Sequence, residues 1–217
     1  MTLLRIDASI RTDGSVSREV ADSLETAWRE RHDGAVVHRD LGRGPLPAEA
    51  WAAAVRAGGT PEGERTPQQR AAVALAAALA DELLAADAVV VTSPLYNFGI
   101  PQHLKAWIDL VVTDPRFAPG TAPLTGRPLA LVIARGGGYG PGTPRAGWDH
   151  ATPYLLQIFG AVFGADVTLI EAELTLATVV PAMAGLVDEA GRVRARAHEL
   201  AAETGRALAE RVVVPAA

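Results

Sequence analysis

The sequence contains no cysteine, which excludes disulfide bonds, thiolate nucleophiles and metal or iron–sulfur centres held by cysteine. Its five histidines include no pair spaced four residues apart and no HExxH motif, so we do not expect a metal site. Any redox chemistry of this chain must therefore come from a bound cofactor.

Lysine and long apolar runs are also scarce. Lys105 is the only lysine, and no basic run offsets a net charge of -5, so nucleic acid is not an expected partner. The first apolar stretch contains Arg5 and Asp7, and the alanine-rich run stops at Asp81 and Glu82, short of the roughly 18 residues that span a membrane. We therefore expect no membrane segment and a cytoplasmic protein.

What the sequence does contain is typical of a globular domain. Hydrophobic residues make up 49% and charged residues 21% of 217 residues, and neither an internal repeat nor an interdomain linker is visible. We predict one domain over residues 1–217.

Apolar runs and helical spacings alternate along the chain. Strands are predicted at residues 3–8, 36–37, 88–92, 129–134 and 167–170. Helices are predicted at residues 16–34, 66–86, 101–112, 149–163 and 188–211, the second starting with Thr66 as N-cap and Pro67 at the first helical position. The stretches 42–66 and 113–127 are expected to be irregular and are unusually long. This alternation predicts an α/β fold with a doubly wound parallel sheet and helices on both faces.

The loop after the first predicted strand, residues 9–17, offers several hydroxyl groups, and Gly14 is free to adopt a positive φ. A helix starts directly after it, so backbone amides and the helix dipole favour a bound phosphate there. The loop matches neither G-x-G-x-x-G nor the P-loop motif. The alternative is that Ser15 or Ser17 only caps the helix.

The loop after the third predicted strand places Tyr96, Asn97 and Phe98 between two prolines. Aromatic side chains at the end of a buried strand suggest a planar ligand on which they stack, with Asn97 or nearby amides bonding its heteroatoms. Alternatively, Tyr96 and Phe98 cover the helix that starts at Pro101.

Four motifs together resemble one family, the FMN-dependent NADH-azoreductases or NADH:quinone oxidoreductases of the flavodoxin-like superfamily. They occur in family order and read Ser9…Ser15-Val16-Ser17, Pro94-Leu95-Tyr96-Asn97-Phe98, Arg135-Gly136-Gly137 and Thr152-Pro153-Tyr154-Leu155. The resemblance covers nearly the whole chain, and it implies a flavodoxin-like five-stranded sheet of order 2-1-3-4-5.

The resemblance also implies a cofactor, a reaction and an assembly. The FMN phosphate would be held by Ser9, Ser15 and Ser17 with the Val16 amide; the ring would be bordered by Pro94, Leu95, Tyr96, Asn97 and Phe98, with Arg135, Gly136 and Gly137 at its other edge. The implied reaction is a two-electron, ping-pong transfer from NADH or NADPH through flavin N5 to a quinone or an azo compound. No catalytic side chain is required for it. Family members are homodimers with active sites at the subunit interface.

The chain departs from the family pattern after Gly137, where several members carry a histidine and this chain reads Gly138 to Arg145 instead. Tyr139 either replaces that contact at the acceptor face or packs locally. Two alternatives to the reductase remain open: a flavodoxin-type electron carrier and a biosynthetic tailoring reductase on the same scaffold. A receiver-type signalling domain is discarded because it needs a lysine after the fifth strand.

Overall fold

The computed structural model describes residues 1–211 and contains one five-stranded sheet. Its strands are β1 (Thr2–Asp7), β2 (Ala35–Asp40), β3 (Ala88–Pro94), β4 (Pro128–Ala134) and β5 (Asp166–Ala172). Every pairing is parallel, and the strands lie in the order β2-β1-β3-β4-β5. The predicted fold class and strand order are confirmed. The predicted single domain extends beyond this range, because residues 212–217 lie outside the described part.

Helices cover both faces of the sheet. They are α1 (Val16–Arg29), α2 (Ala50–Gly58), α3 (Pro67–Ala85), α4 (Gln102–Val111), α5 (Thr152–Leu156) and α6 (Val187–Arg211). Alternate residues of the fully buried β3 enter two hydrophobic clusters. Val89 and Val91 pack on the side of α2 to α5, whereas Ala88 and Val90 pack on the side of α1 and α6. This alternation explains why the sequence of β3 is continuously apolar.

The expectation of an irregular stretch at 42–66 was wrong, because it contains α2. The helix buries one alanine face, Ala50, Ala53, Ala54 and Ala57, and it packs beside α3. Most of the glycines and prolines that suggested a loop lie outside the helix, Gly58 being its last residue, and alanine has the highest helix propensity within it. In the stretch 113–127, a single 3-10 turn forms at Pro115–Phe117.

Of two other helix predictions, one is corrected and one is confirmed. The helix predicted at 149–163 is α-helical only over α5 and continues as a π-helical segment, Gln157–Val162. Thr66 is the N-cap of α3 as predicted, and it forms a capping box in which Thr66 and Gln69 each bond the other's backbone amide. Within residues 1–211, no helix is both long and apolar enough to cross a bilayer.

Candidate functional site

A cleft of about 330 Å³ opens at the carboxyl ends of β1, β3 and β4. This is the edge where open α/β sheets bind ligands, and the volume falls in the range of small-molecule sites. Eight of the residues predicted from sequence line the cleft: Ser9, Ser15, Val16, Ser17, Pro94, Leu95, Tyr96 and Gly136. The two loops singled out from sequence therefore meet at one site.

The start of α1 forms one end of this cleft. Ser15 occupies the N-cap position, yet its side chain accepts no hydrogen bond from the helix amides in the described structure. Its hydroxyl oxygen lies 3.3 Å from that of Ser17, and both residues are buried. The interpretation that Ser15 only caps the helix therefore does not hold. Gly14 has φ +63°, as its place in the loop predicted.

The Ser15 and Ser17 hydroxyls thus lie at the cleft together with the start of a fourteen-residue helix, whose first amides have no partner within the helix. Such an arrangement favours an anion with several acceptor oxygens. The other walls include Leu95, Leu176 and Val179, which suit an apolar or planar group. A phosphate attached to a planar ring system fits this donor set.

A half-buried ionic network holds the serine loop in place. The Arg18 guanidinium donates at 2.7 Å to the Ser9 carbonyl oxygen and at 2.7 Å to each carboxylate oxygen of Asp40. Partial burial acts to raise the pKa of Asp40, but the hydrogen bonds from Arg18 and from the Arg43 amide lower it below its usual value. The same hydrogen bond to Asp40 raises the pKa of Arg18. Arg18 therefore ties the serine loop to the end of β2.

The loop after β3 is a tight hairpin. The Tyr96 and Gly99 backbones bond each other at 3.0 and 2.9 Å, and the two residues between them have positive φ angles, +48° at Asn97 and +67° at Phe98. A phenylalanine in the left-handed region is strained, and such strain is concentrated at functional sites.

The two aromatic residues of the hairpin point to different neighbours. The Tyr96 hydroxyl lies 3.4 Å from Ser9 Oγ and accepts a bond from the Ile10 amide at 3.3 Å, so it contacts the serine loop. The Phe98 ring is 40% exposed and packs edge-on against Trp148, with ring centroids 5.5 Å apart. Asn97 and Phe98 are not among the cleft-lining residues.

The glycine-rich loop after β4 contributes less to the cleft than the sequence suggested. Arg135 is buried and forms ion pairs with Asp149 at 2.9 Å, with Glu173 at 3.4 Å and with Glu171. Its side chain is therefore occupied by carboxylates and holds the loop to β5 and the start of α5. Neither Arg135 nor Gly137 is a lining residue, whereas Gly136 is.

Gly136 and Tyr139 have local neighbours. A Cβ at Gly136 would stand 2.7 Å from Leu176 Cδ1, so a larger residue here would have to displace the Leu176 side chain. Tyr139 is half-buried; its amide donates to Glu173 at 3.0 Å, and its ring lies beside Gly137. These contacts favour local packing over the acceptor role that the sequence also allowed.

Several lining residues were missed from sequence. They are Arg11, Glu19, Ala134, Thr175, Leu176, Thr178, Val179 and Arg194. Residues 175–179 follow β5 in a turn, and Arg194 lies on α6, far from the loops in sequence. Arg11, Glu19 and Ala134 lie within or beside a recognised motif and were close enough to be found.

Comparison with known proteins identifies the family of this chain. The family model described as a flavodoxin-like fold matches residues 1–197. The chain belongs to the flavodoxin-like fold family. This agrees with the sheet order and with the position of the cleft.

The relatives of this flavodoxin-like chain carry a consistent name. An FMN-dependent NADH:quinone oxidoreductase of Parafrankia sp. (strain EAN1pec) is 42% identical over 89% of this chain and 94% of its own length. One from Streptomyces avermitilis is 42% identical over 97% of this chain and 98% of its own. The crystal structure of an azoreductase from Bacillus anthracis str. Sterne gives a TM-score of 0.75 at 26% identity, covering 95% and 99% of the two chains. The family resemblance inferred from the motifs is confirmed.

Proposed function

We propose that this chain is an FMN-dependent NADH:quinone oxidoreductase that also reduces azo compounds. The observation that carries the proposal is the joining of the serine loop and the Tyr96 hairpin around one cleft at the uncapped start of α1. Relatives at 42% identity bear the first name and a structural neighbour is an azoreductase.

The phosphate end of the cofactor is held by the serine loop. Ser9, Ser15 and Ser17 donate their hydroxyls and Val16 donates its amide, all of them at the edge of the cleft. The positive end of the α1 dipole adds to this without requiring a lysine.

The ring end is bordered by Pro94, Leu95, Tyr96 and Gly136. Asn97 and Phe98 form the mouth of the site, where Phe98 with Trp148 offers an aromatic surface to a planar acceptor. Arg135 and Gly137 act indirectly in this proposal, because they shape the loop that carries Gly136.

Bound FMN would supply the redox chemistry, a two-electron, ping-pong transfer from NADH or NADPH through N5 to a quinone or an azo bond. The residues of the chain orient the ring, keep one face open for donor and acceptor in turn, and exclude water from the other. No side chain is required as a nucleophile. Because the donor is a cytoplasmic metabolite, we place the enzyme in the cytoplasm.

A homodimer is part of the proposal. Trp51 and Val55 on α2 are 49% and 54% exposed, and Trp51 borders a groove of about 540 Å³ that also includes Ile100 and Tyr154. The groove reaches Gly99, beside the mouth of the site, so a second copy seated there would enclose the acceptor. Light scattering should give twice the mass of one chain, and Trp51→Glu should give a monomer.

The proposed activity is tested with the purified full chain and FMN under anaerobic conditions. We expect a yellow protein that bleaches with NADH and is reoxidised by a quinone or an azo dye. An electron carrier of the flavodoxin type would stay yellow with NADH alone. A protein that takes up no FMN contradicts the whole proposal.

A further inference from the structure

Glu19 and Arg194 form an ion pair at the rim of the cleft, and both residues line it. Glu19 lies in the first turn of α1, where its amide bonds the Ser15 carbonyl oxygen at 3.0 Å. Arg194 comes from α6, 175 positions later in the chain. The pair therefore joins the phosphate end of the site to the last helix.

A carboxylate at this position would oppose a bound phosphate, since like charges at short range repel each other and a phosphate carries up to two negative charges. The other carboxylates around the base of the loop each form an ion pair with an arginine, three of them with the same one, Arg5. Asp7, Asp22 and Glu25 pair with Arg5, at 3.0, 2.6 and 3.1 Å, and Asp40 pairs with Arg18 at 2.7 Å. Asp13, at the exposed tip of the loop, bonds Thr12 instead.

Glu19 is the one carboxylate among the cleft-lining residues of the described structure, and its partner is supplied by a distant helix. We propose that Arg194 is a positioning residue that neutralises Glu19 and thereby sets the preference of the site for a phosphorylated flavin over its unphosphorylated form. This inference rests on the proposed function, because it assigns the phosphate recognition of the same site.

The test compares FMN with riboflavin, which differ only in the phosphate. The full chain, freed of flavin, is titrated with each ligand, and binding is followed by quenching of flavin fluorescence. Arg194→Gln should weaken FMN binding about five- to tenfold at low salt and leave riboflavin binding unchanged. High salt should shrink the difference, because the charges are partly exposed.

Arg192→Gln is the matched control. Arg192 lies on the same helix, pairs with an exposed carboxylate, Glu189, and does not line the cleft. Its loss changes the net charge by the same amount, so FMN binding should remain within about twofold of the unaltered chain. An equal effect of both substitutions would show a general charge effect and overturn the inference.

The double variant Glu19→Gln/Arg194→Gln separates neutralisation from direct contact. Removal of the carboxylate should restore FMN binding to within about twofold of the unaltered chain. Failure of this restoration, or equal weakening of FMN and riboflavin by Arg194→Gln, overturns the inference while the proposed function stands. If the unaltered chain binds no FMN, both fall.

Discussion

The hydroxyl oxygen of Tyr96 lies 3.4 Å from Ser9 Oγ, so the loop after β3 is tied to the loop after β1 at the cleft. The same hydroxyl accepts a hydrogen bond from the Ile10 amide. Tyr96 is therefore a fixed link between the two ends of the proposed flavin site. A single oxygen atom thus couples the ring side of the cleft to its phosphate side.

Removal of that oxygen by Tyr96→Phe should weaken FMN binding about three- to tenfold, the range for one lost hydrogen bond. The unfolding free energy should change little, because the ring itself is retained. Fluorescence titration measures the binding. Tyr154→Phe is the control, since Tyr154 is also half-buried but lies outside the cleft. Equal effects of the two substitutions would contradict the link.

Phe98 should contribute more to turnover than to folding. Asparagine tolerates φ +67° better than phenylalanine, so Phe98→Asn relieves backbone strain while it removes the edge contact with Trp148. We expect the unfolding free energy to stay within about 1 kcal/mol of the unaltered chain. We expect kcat/KM for a quinone to fall about tenfold, on the scale of one aromatic contact.

Urea unfolding and steady-state kinetics check both expectations. Phe117→Ala gives the contrast, because Phe117 is fully buried and its truncation should cost about 4 kcal/mol. A large stability loss in Phe98→Asn would assign the ring to the core, and unchanged kinetics would remove it from the acceptor site.

The sequence predicted what depends on local pattern. The apolar run 88–92 identified the central strand, and the Thr66-Pro67 pair identified a capped helix start. The serine loop and the Tyr96 hairpin were found because a strand-end loop beside a helix start is a local feature. Whether Ser15 caps the helix could not be decided from sequence, because the neighbouring residues do not determine the hydrogen-bond partner of a hydroxyl.

What the sequence did not predict depends on tertiary contacts. Arg194 reaches the cleft because α6 packs along α1, and no residue near Arg194 signals this. Arg135 belongs to one of the family motifs, yet its guanidinium forms ion pairs with Asp149 and Glu173. Helix α2 was missed because so short a helix is marginal by itself and is stabilised when its alanine face packs on α3.

Arg135 should therefore matter for stability more than for direct contact with a flavin. Arg135→Gln leaves Asp149, Glu171 and Glu173 without their shared cation, and breaking a buried pair costs about 3 kcal/mol. Urea unfolding of the flavin-free chain should show this loss. Arg192→Gln, on an exposed face, should leave the unfolding midpoint unchanged. A stable Arg135→Gln protein with weakened FMN binding would instead indicate that Arg135 contacts the flavin.

Asp40 should make the stability of the protein depend on pH in the acidic range. Its pKa is lowered in the folded chain by the hydrogen bonds from Arg18 and the Arg43 amide, against the opposing effect of burial. The unfolded chain then binds the proton more readily, so folding is favoured above the ordinary Asp pKa and this contribution disappears as pH falls through the folded pKa. Glu25, whose pKa is also lowered, acts in the same direction.

We therefore expect the unfolding free energy to be constant from pH 7 to about pH 5 and to fall below that. Asp40→Asn should cost about 2 kcal/mol at pH 7, the scale of hydrogen bonds to a charged group. Its stability should fall less steeply between about pH 5 and pH 3, because the titrating carboxylate is gone. Urea unfolding at a series of pH values measures both slopes. Equal slopes would place the acid sensitivity in other carboxylates, and a loss at pH 7 alone would mean that Asp40 contributes hydrogen bonds without a shifted titration.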